Sequence, residues 1–245
     1  FAKRKNRFMD ILIKNNKNKY IKTIYNHLLQ LLSVEDYEYY NWAMHQLNIA
    51  IYDVYNKIFI KKDQLIKTHK DIQSPLGKYL NSIILKNKLK NGLELGMVFG
   101  ISTLYMCTAF QKNKGSLTTI DPDQKTHWKS IGLQLIESEK FSHSHRFIDN
   151  WGFKSMPKLI ENNEKFDFIF IHSRNRMEYF LVEFMYADQL LLENGMIVMN
   201  NILHNHVSKT LEYIDTYYRN YEKLVSPDNI VTYIKIEHVD HENNI

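Results

Sequence analysis

Asn91-Gly92-Leu93-Glu94-Leu95-Gly96-Met97-Val98-Phe99-Gly100 is a strand that runs into a glycine turn and on into a helix. Gly92 punctuates the start, Leu93 and Leu95 take buried strand positions, and Gly96 and Gly100 free the backbone at the turn. From Ile101 the apolar spacing becomes helical through Leu104, Met106, Cys107 and Phe110. Such a strand–turn–helix leaves unpaired N–H groups at a helix N-terminus, ready for the polar end of a ligand. Val98 holds the second glycine position of a G-x-G-x-x-G fingerprint, so the spacing argues against a nicotinamide-dependent dehydrogenase. No Gly-Lys-Ser/Thr follows, which excludes a Walker-type phosphate loop. What remains is acidic-x-Gly-x-x-x-Gly. Within it Glu94 stands out, because a carboxylate in a buried strand needs a cationic or hydrogen-bonding partner.

Glu94-Leu95-Gly96-Met97-Val98-Phe99-Gly100 resembles the first motif of S-adenosylmethionine-dependent methyltransferases of the Rossmann-like class. With a non-glycine residue at Val98 it is similar to the catechol and caffeoyl-coenzyme A type of small-molecule O-methyltransferase. The resemblance implies that the loop wraps the methionine part of the cofactor S-adenosylmethionine, with Glu94, Gly96 and Gly100 among the binding residues.

The length of 245 residues accommodates one α/β domain and an extension, at roughly 100–200 residues per domain. Hydrophobic content of 44% and charged content of 24% are globular values. No apolar run approaches the ~20 residues of a membrane span, and the basic, Asn- and Lys-rich opening segment has no apolar h-region, so a signal peptide is not expected in it. Phe1 stands where an initiator Met would, so a fragment or trimmed product is expected. A single cysteine, Cys107, rules out a disulfide framework and suits a reducing, cytoplasmic setting, with Cys107 itself in the core. The net charge of +5 permits acidic partners. The Asn-, Lys-, Ile- and Tyr-rich composition resembles AT-rich codon bias, which weakens a nucleic-acid reading drawn from lysines.

Residues 1–18 are basic and Asn-rich and read as a mobile arm or as the end of a preceding domain. Helical spacing follows over Tyr20–Leu32, and again from Val34 to about Ile60 behind an N-cap at Ser33. The stripe Tyr37, Tyr39, Tyr40 and Trp42 reads as a helix-packing face or a binding surface. Another helix starts at Ser74-Pro75 and ends before Asn91. The expected division is a helical N-terminal extension over 1–70, through which a homodimer could form, and a Rossmann-like domain over 71–245.

Further strands are expected at Ser116–Ile120, His145–Asp149, Phe166–Ile171, Met196–Met199 and Ile230–Glu237. Helices are expected at Gln124–Lys140, at Met177–Leu192 and around Leu211–Tyr218. The alternation predicts an α/β, doubly wound, mainly parallel sheet with ligand at the C-terminal strand ends. Asp121 closes the second strand and reads as a ribose acceptor or as a helix cap. The pattern through Trp128 and Gly132, and Phe166–Ile171 with the helix, Gly195 and strand that follow, resemble the same relatives. That resemblance covers roughly Ile72 to Ile236. It implies an adenine contact at Asp149 or Asn150, with Trp151 against the ring or simply packed.

In the metal-dependent relatives the fourth and fifth strands end in carboxylates that hold a divalent cation. Here His172 and Asn200-Asn201 stand at those places. An imidazole and an amide suit a hard cation poorly, so no metal site is expected, although His172 with His204 or His206 could take a softer ion. His172 reads as a general base, His204 as the second candidate, and either could equally be an ordinary loop histidine. Arg174 and Arg176 could receive an acidic acceptor, and Arg174, Asn200 and Asn201 are the substrate-side candidates. No base-methylation signature such as Asn-Pro-Pro-Tyr is present. The expected reaction is metal-independent O-methylation of a small-molecule or sugar hydroxyl. The alternative is a catalytically inactive methyltransferase fold that serves as a binding or scaffold module of a larger protein.

Overall fold

A computed structural model describes residues 75–128, 130–227 and 229–239. The expected arm, the helices over 20–60, the Tyr37–Trp42 stripe and the extension with its dimer contacts lie outside the described residues.

Helix α1 (Pro75–Lys86) begins with a proline, whose missing N–H would be unpaired in the first turn anyway. It buries Leu80, Ile83 and Ile84. Strand β1 (Asn91–Leu95) then leads through the glycine turn into α2 (Ile101–Lys112). There follow β2 (Ser116–Ile120), α3 (Ile131–Ser138), β3 (His145–Ile148), α4 (Gly152–Glu161) and β4 (Phe166–Ile171). The described residues close with α5 (Met177–Leu190), β5 (Leu191–Asn200), α6 (Asn205–Tyr217), β6 (Tyr221–Leu224) and β7 (Ile230–Lys235).

The strands form one sheet in the order β3-β2-β1-β4-β5-β7-β6. β1 to β5 pair in parallel, while β7 is antiparallel to both β5 and β6. Both faces are covered, as parallel strands require. On one face Leu93, Leu95, Ile169 and Ile171 pack with Met156 of α4 and Phe180 and Phe184 of α5. On the other, Phe168, Phe170 and Val198 pack with Ile84 of α1 and Phe110 of α2. Phe168 and Phe170 are fully buried, each worth about 1.5–3 kcal/mol relative to exposure. Helices α1 and α2 pack side by side on this face, where Asn81 donates its side-chain amide to the Tyr105 carbonyl (2.9 Å) and the Tyr79 hydroxyl meets Thr232 Oγ1 of β7 (2.6 Å).

The doubly wound, mainly parallel sheet agrees with the sequence reading, with local departures. Residues 122–128 and 130 form turns, and α3 starts only at Ile131, because the Gln124 side chain turns into the interior. α4 and β6 are additions to the expected elements. β5 begins five residues early, at Leu191, and carries an irregularity before Met196 with Asn194 at φ 62°. β7 ends at Lys235 rather than Glu237.

β2 and β3 lie to one side of β1, while β4 and β5 lie to the other. The winding therefore reverses between β1 and β4. Open α/β sheets leave a ligand crevice beyond the strand ends at that place.

Candidate cofactor and acceptor site at the strand ends

Three groups of side chains gather at the carboxyl ends of β1 to β5. The first is the β1–α2 turn. Gly96 (φ 93°) and Gly100 (φ 77°) occupy the left-handed region, where a side chain is strained. A Cβ on Gly96 would meet the His172 carbonyl oxygen at 2.5 Å, so this glycine lets β1 and β4 end side by side. Val98 also has positive φ, 53°, which is an outlier for a β-branched residue.

Asp121, at the tip of β2, closes this turn. Its Oδ2 accepts the N–H groups of Met97 (2.8 Å) and Val98 (2.9 Å), and its Oδ1 accepts the N–H of Asp123 (2.7 Å). Asp121 thus ties the turn that follows β2, as the helix-cap reading expected, and also the glycine turn after β1. Glu94 is fully buried and pointed inward. Its carboxyl accepts from Ser102 Oγ (2.6 Å), Thr103 Oγ1 (2.6 Å) and Thr119 Oγ1 (3.0 Å). Burial pushes its pKa up to about 7 against those three hydrogen bonds. The partners that a buried carboxylate required are hydroxyls, and they join β1 to β2 and to the first turn of α2.

The second group lies after β3. Asp149 pairs with Lys125 (2.7 Å), and Asn150 Oδ1 accepts the N–H of Trp151 (2.9 Å). The Trp151 ring stacks with Tyr179 at 5.7 Å between centroids and sits beside Phe153 at 5.8 Å. Arg174, from the loop after β4, lies over Trp151 at 4.6 Å and also donates to Asp123 (3.3 Å). Arg174 thus bridges the ends of β2 and β3, whereas Arg176 pairs with Glu178 (2.7 Å).

The third group is the acceptor side. His172 and Asn200 follow the last paired position of β4 and β5, Ile171 against Met199. His172 is 8% exposed, stacks on Phe170 (5.4 Å) and has a buried Nδ1 without a hydrogen-bond partner. Burial pushes its pKa down to about 4, so the ring is neutral at neutral pH. Asn201 donates to Asn175 Oδ1 (3.1 Å) and accepts from the Asn229 amide (3.4 Å). His204 precedes α6, stacks on His206 (5.5 Å) and also carries a buried, unpartnered Nδ1.

Sequence reasoning missed Glu183 and Gln124. Glu183 is 3% exposed on α5 and receives the Ser173 hydroxyl beside His172. Burial raises its pKa to about 7. A Cβ on Gly152 would come within 2.6 Å of its Oε1. Both residues sat in segments read as ordinary helix, and only tertiary burial distinguishes them. Among the described residues no group of three or more His, Cys, Asp or Glu is arranged to hold a metal ion. None of the described helices is long and apolar enough to cross a membrane. A separate cleft of about 480 Å³ lies at the opposite, amino-terminal strand ends, beside Ser116, His145, Arg146 and Glu164. Its Arg146 is held by Glu164, and the chemistry-bearing residues lie elsewhere.

The sheet order, the reversal between β1 and β4, and the acid-closed glycine turn together define the Rossmann-like methyltransferase fold. Residues 93–202 match the family described as a methyltransferase domain. A catechol O-methyltransferase of Niastella koreensis is 31% identical over 135 residues, spanning 53% of this chain and 57% of that protein. An Arabidopsis thaliana protein named for caffeoyl-CoA O-methyltransferase is 30% identical over 94 residues, spanning 38% and 39%. The chain thus spans less than two thirds of these curated relatives. An O-methyltransferase from Bacillus cereus, solved in complex with SAH, superposes with a TM-score of 0.57 at 20% identity, covering 76% of this chain and all of that one. The motif resemblance to the catechol and caffeoyl-coenzyme A type therefore has its counterpart in whole-segment similarity.

Proposed function

We propose that this chain is an S-adenosylmethionine-dependent methyltransferase that methylates a hydroxyl of a small molecule or sugar without a metal ion. The observation that carries the reading is the positive-φ turn Gly96–Gly100, closed by Asp121 at the winding reversal of the sheet. The residues fit such a cofactor. Gly96 and Gly100 let backbone come close to a ligand, and we assign Asp121 Oδ1 to the ribose hydroxyls and the Asp149–Trp151 segment to the adenine. When bound, the cofactor would supply an electrophilic methyl group on a sulfonium.

The chain's own contribution is alignment and proton acceptance. In-line positioning of two reactants is itself a large part of the catalysis such a reaction needs. His172 is neutral, and its Nδ1, buried without a partner in this structure, is the atom we assign to take the proton of the acceptor hydroxyl. Asn200 and Asn201 border the same space, and His204 is the reserve base. Arg174 lies over Trp151 and donates to Asp123, contacts that support assigning it to the cofactor side of the site rather than to the acceptor. The donor set His172, Asn200 and Asn201 contains no carboxylate, and the Asn201 amide is already engaged, so it does not fit a hard divalent cation.

Calorimetric titration of S-adenosylmethionine and S-adenosylhomocysteine, with and without EDTA, tests this on the wild type and Asp121→Asn. Chelator-insensitive binding that Asp121→Asn weakens is the expected result. No binding of either ligand at millimolar concentration would leave a catalytically inactive scaffold with this fold.

A further inference from the structure

Val98 is a β-branched residue held at φ 53°, a conformation that costs about 1–2 kcal/mol for a residue with a Cβ. Strain of this size persists only where the surroundings impose it, and it gathers at binding sites. Here both sides of the residue are pinned. Its N–H goes to Asp121 Oδ2 (2.9 Å), and its carbonyl receives Gln124 Nε2 (2.5 Å). Gln124 has no exposed surface and also reaches Asp121 Oδ2 (3.4 Å) with the same amide nitrogen. The amide orientation is forced, because a flipped Gln124 would set its oxygen against two acceptors. Its own Oε1 is buried without a partner, so the side chain forgoes one hydrogen bond to make this contact.

The neighbours leave it little freedom. A Cβ on Gly132 would lie 3.0 Å from Gln124 Oε1 and 3.1 Å from the Val98 carbonyl oxygen, while one on Gly100 would lie 2.8 Å from the Gly132 Cα. Phe99, next to Val98, packs edge-on against Trp128 at 5.1 Å. The turn after β2 therefore folds onto the turn after β1 through Gln124, Trp128 and Gly132. That accounts for α3 starting late: residues 122–128 and 130 are used to reach across to the glycine turn.

We propose that Gln124 is a positioning residue of the cofactor pocket, which holds the strained Val98 turn open to ligand by capping its carbonyl. The proposal rests on the cofactor reading above. Gln124 itself touches no reacting atom. Without its donor, the turn relaxes toward negative φ at Val98 and the amides of Met97 and Val98 leave Asp121.

A four-protein cycle tests it: wild type, Gln124→Met, Val98→Gly and the double variant, each titrated with S-adenosylhomocysteine and unfolded thermally. Gln124→Met keeps the volume and removes the donor. It is expected to weaken binding roughly five- to thirtyfold, the size of the strain released. Glycine adopts positive φ freely, so once Val98 is glycine the Gln124 donor should no longer matter: whatever Val98→Gly itself loses against wild type, the double variant should bind within roughly threefold of Val98→Gly. A double variant weaker than Val98→Gly by the factor that separates Gln124→Met from wild type, or a Gln124→Met that binds like wild type, would overturn the proposal. Gln124→Leu, which also removes the donor, repeats the test should the methionine variant fail to fold. If the wild type binds no cofactor, the functional reading fails by itself. The same cycle read in unfolding temperature then decides the clamp: loss in Gln124→Met that Val98→Gly cancels upholds it, and additive losses refute it.

Discussion

Thr119 and Glu94 stand opposite each other in register on β2 and β1, and Thr119 Oγ1 donates to Glu94 Oε2 at 3.0 Å. That donation leaves the threonine oxygen as an acceptor for His145 Nε2, 2.9 Å away on β3, and so fixes the neutral His145 tautomer with its proton on Nε2. The chain His145–Thr119–Glu94 joins an edge of the sheet to the base of the glycine turn.

The buried titrating groups predict opposite pH tilts. Glu94 and Glu183 are raised by burial to about 7, so their contribution is fully present below the usual carboxylate pKa and lost as pH rises toward 7. His145 and His172 are lowered by burial to about 4, so theirs is lost as pH falls below about 6.5 toward 4. Between about pH 4.5 and 6.5 the folded state holds two glutamate protons and the unfolded state two histidine protons, and the four groups offset one another. Glu94→Gln should make stability rise with pH across that window, by at most about 1.4 kcal/mol per unit, and His172→Gln should make it fall. Urea unfolding at pH 5 and 6.5 distinguishes the two signs, and parallel slopes would refute the assignment.

The rate profile should carry the same histidine. A base with its pKa pushed down to about 4 stays deprotonated in mild acid, so kcat/KM should be flat from pH 5 to 8 and fall only near 4. His172→Ala should lose about 10²–10⁴ in rate with cofactor affinity kept. A wild-type break near pH 6.5 would refute His172 as the base.

Carboxylates at the ends of β4 and β5 should create what the native donor set does not fit. His172→Asp combined with Asn200→Asp is expected to bind Mg²⁺ measurably by calorimetry, where the wild type gives no heat. Equal Mg²⁺ binding by the wild type would sink the metal-free mechanism.

Lys235 has no exposed surface. It pairs with Asp188 (2.9 Å) and donates to the Asp188 carbonyl (2.6 Å), while Tyr221 donates to the same carboxylate (2.6 Å). Lys235→Met alone should cost about 3–5 kcal/mol by leaving a buried charge, and Lys235→Met with Asp188→Leu should recover most of it. Chemical denaturation of the two variants measures the difference.

The parallel core was legible in the sequence because its signals are local. Phe166–Ile171 is apolar on both faces, and Gly96 and Gly100 mark a turn that few other residues could make. α4 was not, since Gly152 and Pro157 carry breaker chemistry and only burial of Met156 and Leu159 against α5 outweighs it. β6 was missed because Tyr221–Leu224 has charged residues in mid-strand and is held by β7 alone. At the site, the positions of Asp121 and His172 were readable from strand ends. The inward turn of Glu94, the use of Arg174 as a bridge and the role of Gln124 depend on contacts between segments distant in sequence, which no local pattern encodes.

β7 lies between β5 and β6, so β5 acquires its second neighbour from the last of the described strands. During synthesis β1 to β5 emerge first, and the far side of β5 stays an open edge until residues 230–235 leave the ribosome. An unpaired apolar edge of that kind is a template for pairing with another chain. Lys235, buried against a helix residue 47 positions earlier, is then the latch that seals it. Newly made protein is exposed to misassembly for as long as residues 230–235 take to appear, so yield in the cell should depend on how fast the stretch of message that encodes them is read.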